Sequence, residues 1–362
     1  MGQDFFYEKL IRPLLFKLDP ESVHQSAHHA LLTAGPLIGA LPLRYSGQGL
    51  RVKLFGRELL NPIGLAAGFD KNGSLAPVLG ALGFGFMEIG SVCAKPHGGN
   101  PRPRLFRLSD DEALINRLGL NGLGAQSVVT ALAGKKFSLP CGINIAKTND
   151  PGISGEDAVE DVVYSFSLVK TLPVEFVTIN ASCPNTTEGC LKESSVLAAT
   201  LERVNAINDR KLPILLKLSP DSTERFLEEV ASICKDKKVA GYVCGNTTLT
   251  REELSTAAER LNAIGWGGLS GKPLKHLNLR LTQKLAKLKS PEQIIIGVGG
   301  IANGQDAFDY LSAGAHVLEI YTSFVYRGPS CAKQICEELS AILKARGVTL
   351  SDLSAGHISA TA

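Results

Sequence analysis

The 362-residue sequence contains no apolar stretch of 18 residues, so nothing in it reads as a membrane-spanning helix. It has no long Lys/Arg run, and a net charge of +3 is a weak footprint for nucleic acid. None of the eight cysteines forms a C-x-x-C pair, and several sit inside apolar runs. That pattern speaks against a disulfide framework and against a zinc site, and for reduced thiols. The N-terminus lacks the succession of a signal peptide and the Arg- and Ser-rich pattern of a transit segment. Neither an internal repeat nor a low-complexity tract is evident. Charged residues at 20% and hydrophobic ones at 44% exclude a disordered chain. What remains is a globular protein long enough for a barrel of about 250 residues plus an appendage.

Residues 4–17 place Phe5, Phe6, Leu10, Leu14 and Leu15 at helical spacing. Asp19 is a good N-cap for a second helix that begins at Pro20, and Gly35-Pro36 is expected to stop it. Leu37, Ile38, Leu41 and Leu43 extend the apolar surface. These helices either pack on the main domain or rest in a bilayer surface. In the second case His24 and Arg12 are polar groups at a tunnel mouth. Residues 50–59 alternate around Phe55-Gly56, which predicts a hairpin, a plug for a barrel floor.

From Asn61 onward, eight buried strand-like runs alternate with amphipathic segments: 62–67, 84–90, 140–146, 175–180, 213–218, 239–245, 293–299 and 315–321. Helical patterns occupy 156–171, 191–208, 222–236, 274–288, 304–312 and 329–346. The alternation predicts an α/β protein, a closed (β/α)8 TIM barrel, with a doubly wound open sheet as the alternative. The expected division is a small α-helical domain at 1–45 and a barrel at 46–362.

In such a barrel the chemistry sits at the C-terminal ends of the strands. Those ends supply Ala66 through Lys71, Gly90-Ser91, Asn144, Asn180, Lys217, Asn246-Thr247, Gly299-Gly300 and Tyr321-Thr322. Carboxylates are nearly absent from them, so the site reads as cationic and rich in amides. Two lysines leaving apolar strands require an anionic partner. The Gly297–Gly300 turn with Thr322-Ser323 stands where barrels bind a phosphate, and Ser270-Gly271 adds a second turn of small residues. A phosphate there, Lys217 centrally and amides around a ring describe flavin mononucleotide (FMN). The run Asn180-Ala181-Ser182-Cys183-Pro184-Asn185-Thr186 follows a strand and ends it at Pro184. Cys183 is there either a small buried apolar residue or a group that exchanges a proton near neutral pH.

With these motifs, GNPRPRLFRL at 99–108 and Ile115-Asn116-Arg117, the chain resembles the quinone-dependent, membrane-associated dihydroorotate dehydrogenases. The resemblance covers nearly the whole chain. It implies FMN held by Ala67, Gly68, Ser91, Asn144, Asn180, Lys217, Thr247, Ser270, Gly271, Gly299, Gly300, Tyr321 and Thr322. It implies dihydroorotate or orotate held by Lys71, Asn116, Asn180, Asn185, Asn246 and Thr247, with Cys183 as general base. His24, Arg107 and Tyr321 would line a tunnel for a membrane quinone. The chain departs from the class twice: Cys183 stands where Ser is usual, and Leu120 where Phe is usual.

The expected reaction oxidises (S)-dihydroorotate to orotate in pyrimidine biosynthesis, with a quinone as acceptor and with neither metal nor nucleic acid. The expected location is peripheral, on the cytoplasmic side of a bacterial inner membrane or on a mitochondrial inner membrane. One rival is a soluble enzyme using fumarate or NAD. Others are a flavin enzyme acting on tRNA uridines, against which the weak charge speaks, and a binding protein on a dead barrel.

Overall fold

Eight short parallel strands close on themselves in the computed structural model, which describes residues 6–182 and 193–354. They are β1 (Ile63–Leu65), β2 (Phe86–Val92), β3 (Cys141–Ile145), β4 (Phe176–Asn180), β5 (Ile214–Leu218), β6 (Gly241–Cys244), β7 (Ile294–Val298) and β8 (Val317–Ile320). Each pairs with its sequence neighbours and β8 pairs with β1, so the sheet is a closed barrel rather than an open sheet. Every strand reads as a near-continuous apolar run because helices cover the outside and side chains fill the inside. The expected helices appear at Gly155–Val169, Ser194–Ala206, Glu224–Asp236, Lys275–Leu288, Gly304–Ser312 and Cys331–Arg346. In Glu224–Asp236, Leu227, Val230, Ala231 and Cys234 form the buried stripe, and Thr223 caps the start by accepting from Phe226 N at 3.3 Å.

The lower barrel is apolar. Phe86, Phe176, Leu215, Val243, Ile296 and Val317 pack together there, and the hairpin Val52–Leu54/Arg57–Leu59 closes it from below with Leu54 and Leu59. Phe55 and Gly56, both at positive φ (47° and 83°), make the tight turn that this hairpin needs.

The N-terminal segment is helical as expected, in two short turns at Tyr7–Ile11 and Arg12–Leu15 followed by α1 (Pro20–Ile38). Phe5 lies outside the described residues. Asp19 caps α1 by accepting from Ser22 N at 2.8 Å. Gly35-Pro36 does not stop the helix, which runs on to Ile38 and ends with Gly39 N donating to Gly35 O at 3.0 Å. Pro36 lacks the N–H that would have met the carbonyl of Leu32, so the helix continues with one backbone hydrogen bond fewer. Gly35 itself lets α1 approach the barrel, since a Cβ there would lie 2.8 Å from Val78 Cγ1.

Sequence reading did not anticipate a three-stranded antiparallel sheet of Leu105–Leu108, Ala113–Asn116 and Gly268–Gly271. It joins the segment after β2 to the segment after β6 and roofs the C-terminal mouth of the barrel.

Candidate active site

A cavity of about 200 Å³ opens at the C-terminal ends of the strands, walled on one side by the roof sheet. The register sets its amides side by side, with Asn180 at the end of β4 opposite Lys217 at the end of β5. Asn144 Nδ2 donates to Glu88 Oε2 at 3.3 Å, while Ser91 Oγ donates to Asn144 Oδ1 at 2.5 Å. Asn180 Nδ2 in turn donates to Ser91 Oγ at 3.2 Å. Asn246 Nδ2 donates to Asn180 Oδ1 at 3.3 Å and to Ser182 O at 3.2 Å. These amides are thus locked by one another, and Asn180 and Asn246 face the cavity. Asn144 stands behind Ser91, fully buried, and is not part of the cavity wall.

Lys71 and Lys217 both reach this cavity. Lys71 Nζ donates to Asn121 Oδ1 at 2.8 Å. Burial, aided by the charge of Arg104, brings the Lys71 ammonium down to about 8. Carboxylates are few at the strand ends but not in the barrel interior below them. Glu88 and Glu319 are buried in the barrel interior, and Lys217 Nζ is 3.9 Å from Glu88 Oε2. Both sit in the middle of apolar strands, at inward positions, where a count of strand-end residues passes over them.

On the opposite wall Gly299 and Gly300 adopt φ of 107° and 71°. A side chain at Gly300 would lie 2.4 Å from Lys275 N, so the backbone is bare by necessity. Ser270 Oγ and Thr322 Oγ1 are 2.9 Å apart beside this turn. At Gly68 an added Cβ would meet nothing within 4 Å, which leaves open space above the end of β1. Thr247 Oγ1 is buried at the cavity without a partner among the described residues. A flat, phosphate-bearing ligand with polar edges fits this donor set. Ala67, Tyr321 and Asn116 complete the wall, with Asn116 on the roof. Cys183 and Asn185 lie outside the described residues, directly after Ser182.

A second cavity lies under α1, lined by His24, His28, Phe69, Lys71 and Tyr321 among others, and the last two also line the first cavity. The rings of His24 and His28 are 4.5 Å apart, and each is about 5.1 Å from Phe69. Burial, then the neighbouring His28, takes His24 down to about 3, so its ring is neutral at physiological pH. Arg107, expected in the tunnel, donates to Leu18 O at 2.8 Å and stacks on Phe16 with 4.6 Å to the ring centroid. Arg12 Nη1 donates to Tyr326 O at 3.0 Å. His28 was missed in the sequence because one more histidine in an amphipathic helix carries no signal. Glu21 belongs to the Asp19-Pro20-Glu21 helix start visible in the sequence, but its tie of α1 to the roof segment, through Arg104 Nη2 at 2.7 Å and Arg102 Nη2 at 3.0 Å, is not visible there.

A family model described as dihydroorotate dehydrogenase matches residues 49–343. A dihydroorotate dehydrogenase (quinone) from Christiangramia forsetii is 40% identical over 344 residues, covering 92% of this chain and 98% of the relative. The mitochondrial dihydroorotate dehydrogenase (quinone) of Mus musculus is 36% identical over 363 residues, with coverage of 96% and 89%. The crystal structure of DHODH in complex with ferulenol from Eimeria tenella aligns with a TM-score of 0.82 at 29% identity, covering 92% of this chain and 94% of that one.

Proposed function

Because the chain belongs to the dihydroorotate dehydrogenase family, as one of the quinone-dependent enzymes that oxidise dihydroorotate in pyrimidine biosynthesis, we propose that its working cofactor is FMN and that its own residues divide the reaction as follows. The observation that carries this reading is the single cavity that has amides on one wall and the Gly299-Gly300 turn on the other. FMN bound there supplies a ring nitrogen that accepts hydride and a reduced state that a quinone reoxidises. Gly299, Gly300, Ser270, Gly271 and Thr322 hold its phosphate. Ser91, Asn144 (through Ser91), Asn180, Thr247 and the small residues Ala67 and Gly68 seat its ring, and Lys217 faces the ring edge that becomes negative.

Lys71 holds the carboxylate of dihydroorotate, while Asn116, Asn180, Asn185, Asn246 and Thr247 fix its ring amides. Cys183 takes the C5 proton as the C6 hydride departs. Quinone enters between α1 and the barrel, past His24, Tyr321 and Arg107. The helices of residues 1–45 rest on the membrane that holds the quinone. The exposed Phe6, Leu10, Leu14, Leu18 and Leu37 support that peripheral association.

Purification without added cofactor tests the reading. The expected outcome is a yellow protein that releases FMN on denaturation and turns over dihydroorotate with a short-chain quinone, and not with fumarate or NAD. Mass analysis that finds FAD, or no flavin after reconstitution, overturns the cofactor assignment.

A further inference from the structure

Beneath the cavity the barrel interior holds two carboxyl groups and one ammonium. Glu88 on β2 and Glu319 on β8 are 1% and 0% exposed, and Lys217 on β5 is 6% exposed. Glu88 has one satisfied oxygen, accepting from Asn144 and lying 3.9 Å from Lys217 Nζ. Its other oxygen, both oxygens of Glu319 and Thr178 Oγ1 on β4 have no partner among the described residues. The register neighbours of Glu319 are Val298 on β7 and Gly64 on β1, and neither titrates. Among the described residues, Glu88 and Lys217 are the charged groups that act on Glu319; the buried Val243 on β6, Asn144 on β3 and Thr178 on β4 are not ionisable.

One cation cannot neutralise two buried carboxylates, and like charges confined at one dry site do not both ionise. We infer that Glu88 and Glu319 hold a single proton between them, so that with Lys217 they form a net-neutral polar layer under the cofactor and set its reduction potential. Burial and the charge of Glu88 push the Glu319 carboxyl well above the usual carboxylate range, in keeping with this count. Glu319 is a positioning residue here: it leaves Lys217 balanced once, by Glu88, and adds no second negative charge below a ring that gains electrons.

This inference rests on the flavin reading for its redox consequence, while the shared proton stands without it. Two measurements on the holoenzyme test it. Infrared spectroscopy should find a buried protonated-carboxyl band that both Glu319→Gln and Glu88→Gln abolish, because whichever carboxyl remains ionises against Lys217. Potentiometric titration at neutral pH should leave the flavin reduction equilibrium of each single variant within about threefold of the parent. The double variant, with Lys217 unbalanced, should shift toward the reduced form by about tenfold or more. No acid band in the parent overturns the inference without any variant. So do single variants that each shift the equilibrium about tenfold, which means two carboxylates, or a band that half survives in each, which means two neutral acids. A protein without flavin sinks the cofactor reading and leaves the infrared arm able to decide.

Discussion

At the scale of single residues, the proposed role of Lys71 in holding the substrate carboxylate predicts a pH limit on recognition. Its ammonium is brought to about 8, mainly by burial, so the charged form is complete below that pH and is lost above it. An anionic ligand binds the charged form. The dissociation constant of orotate should therefore be level between about pH 6 and 7.5, then rise toward tenfold per pH unit above about 8. Lys71→Arg should flatten that rise, since a guanidinium stays charged throughout. Titration of the flavin spectrum with orotate measures both, and a parental curve that is flat to pH 9.5 refutes the assignment. For Cys183 the decisive feature is a separation of half-reactions. Cys183→Ala should slow flavin reduction by dihydroorotate about 10²–10⁴-fold, the usual contribution of a positioned base. Quinone reoxidation of chemically reduced enzyme should hardly change, and Cys183→Ser should restore part of the lost rate. Stopped-flow traces of the two steps decide it; a parental reduction rate in Cys183→Ala means that another group is the base.

Between elements, the join of α1 to the roof segment depends on Glu21, whose two oxygens receive Arg104 Nε and Nη2 at 2.7–3.2 Å. Arg104 is 6% exposed, so among the described residues Glu21→Ala leaves its buried guanidinium with the carbonyls of Gly98 and Asn100 alone. Breaking one side of such a pair costs about 3 kcal/mol or more. Denaturant unfolding should register that loss, and quinone turnover should fall further than the dihydroorotate half-reaction. An unchanged midpoint would show that α1 is held by packing alone. Which elements were legible follows from the range of their contacts. All eight barrel strands stood out because a parallel strand buried on both faces is an apolar run by itself. The hairpin stood out because Phe55-Gly56 carries its turn locally. The roof did not: Leu105–Leu108 and Ala113–Asn116 are short, the first is interrupted by Arg107, and their third partner, Gly268–Gly271, is about 150 residues away. Glu88 and Glu319 were hidden for a related reason, since only the closed barrel turns their side chains toward Lys217. The amides at the strand ends were legible because the barrel dictates where each strand points.

On the scale of the whole molecule, exposed leucines recur along the N-terminal helical segment. Leu10, Leu14 and Leu37 are 52%, 65% and 75% exposed on the helical segment that precedes the barrel. Among the described residues no helix is long and apolar enough to cross a membrane. Deleting residues 1–45 would also remove Glu21 and expose Arg104, so substitution is the cleaner test. Leu10→Gln, Leu14→Gln and Leu37→Gln combined should abolish sedimentation with liposomes, because each leucine contributes up to about 1.5–3 kcal/mol when fully buried. Flavin reduction by dihydroorotate should be retained. Liposome binding that survives all three places the membrane contact elsewhere. The roof sheet has one more consequence, for the time course of folding. Its strands come from two loops far apart in sequence, so closing it costs more chain entropy than pairing neighbouring barrel strands. Trp266, the only tryptophan, sits two residues before one roof strand, with the Arg117 guanidinium 5.6 Å from its ring centroid. Its emission is a built-in clock for the last event of refolding, and it should settle only after the circular dichroism of the barrel has done so.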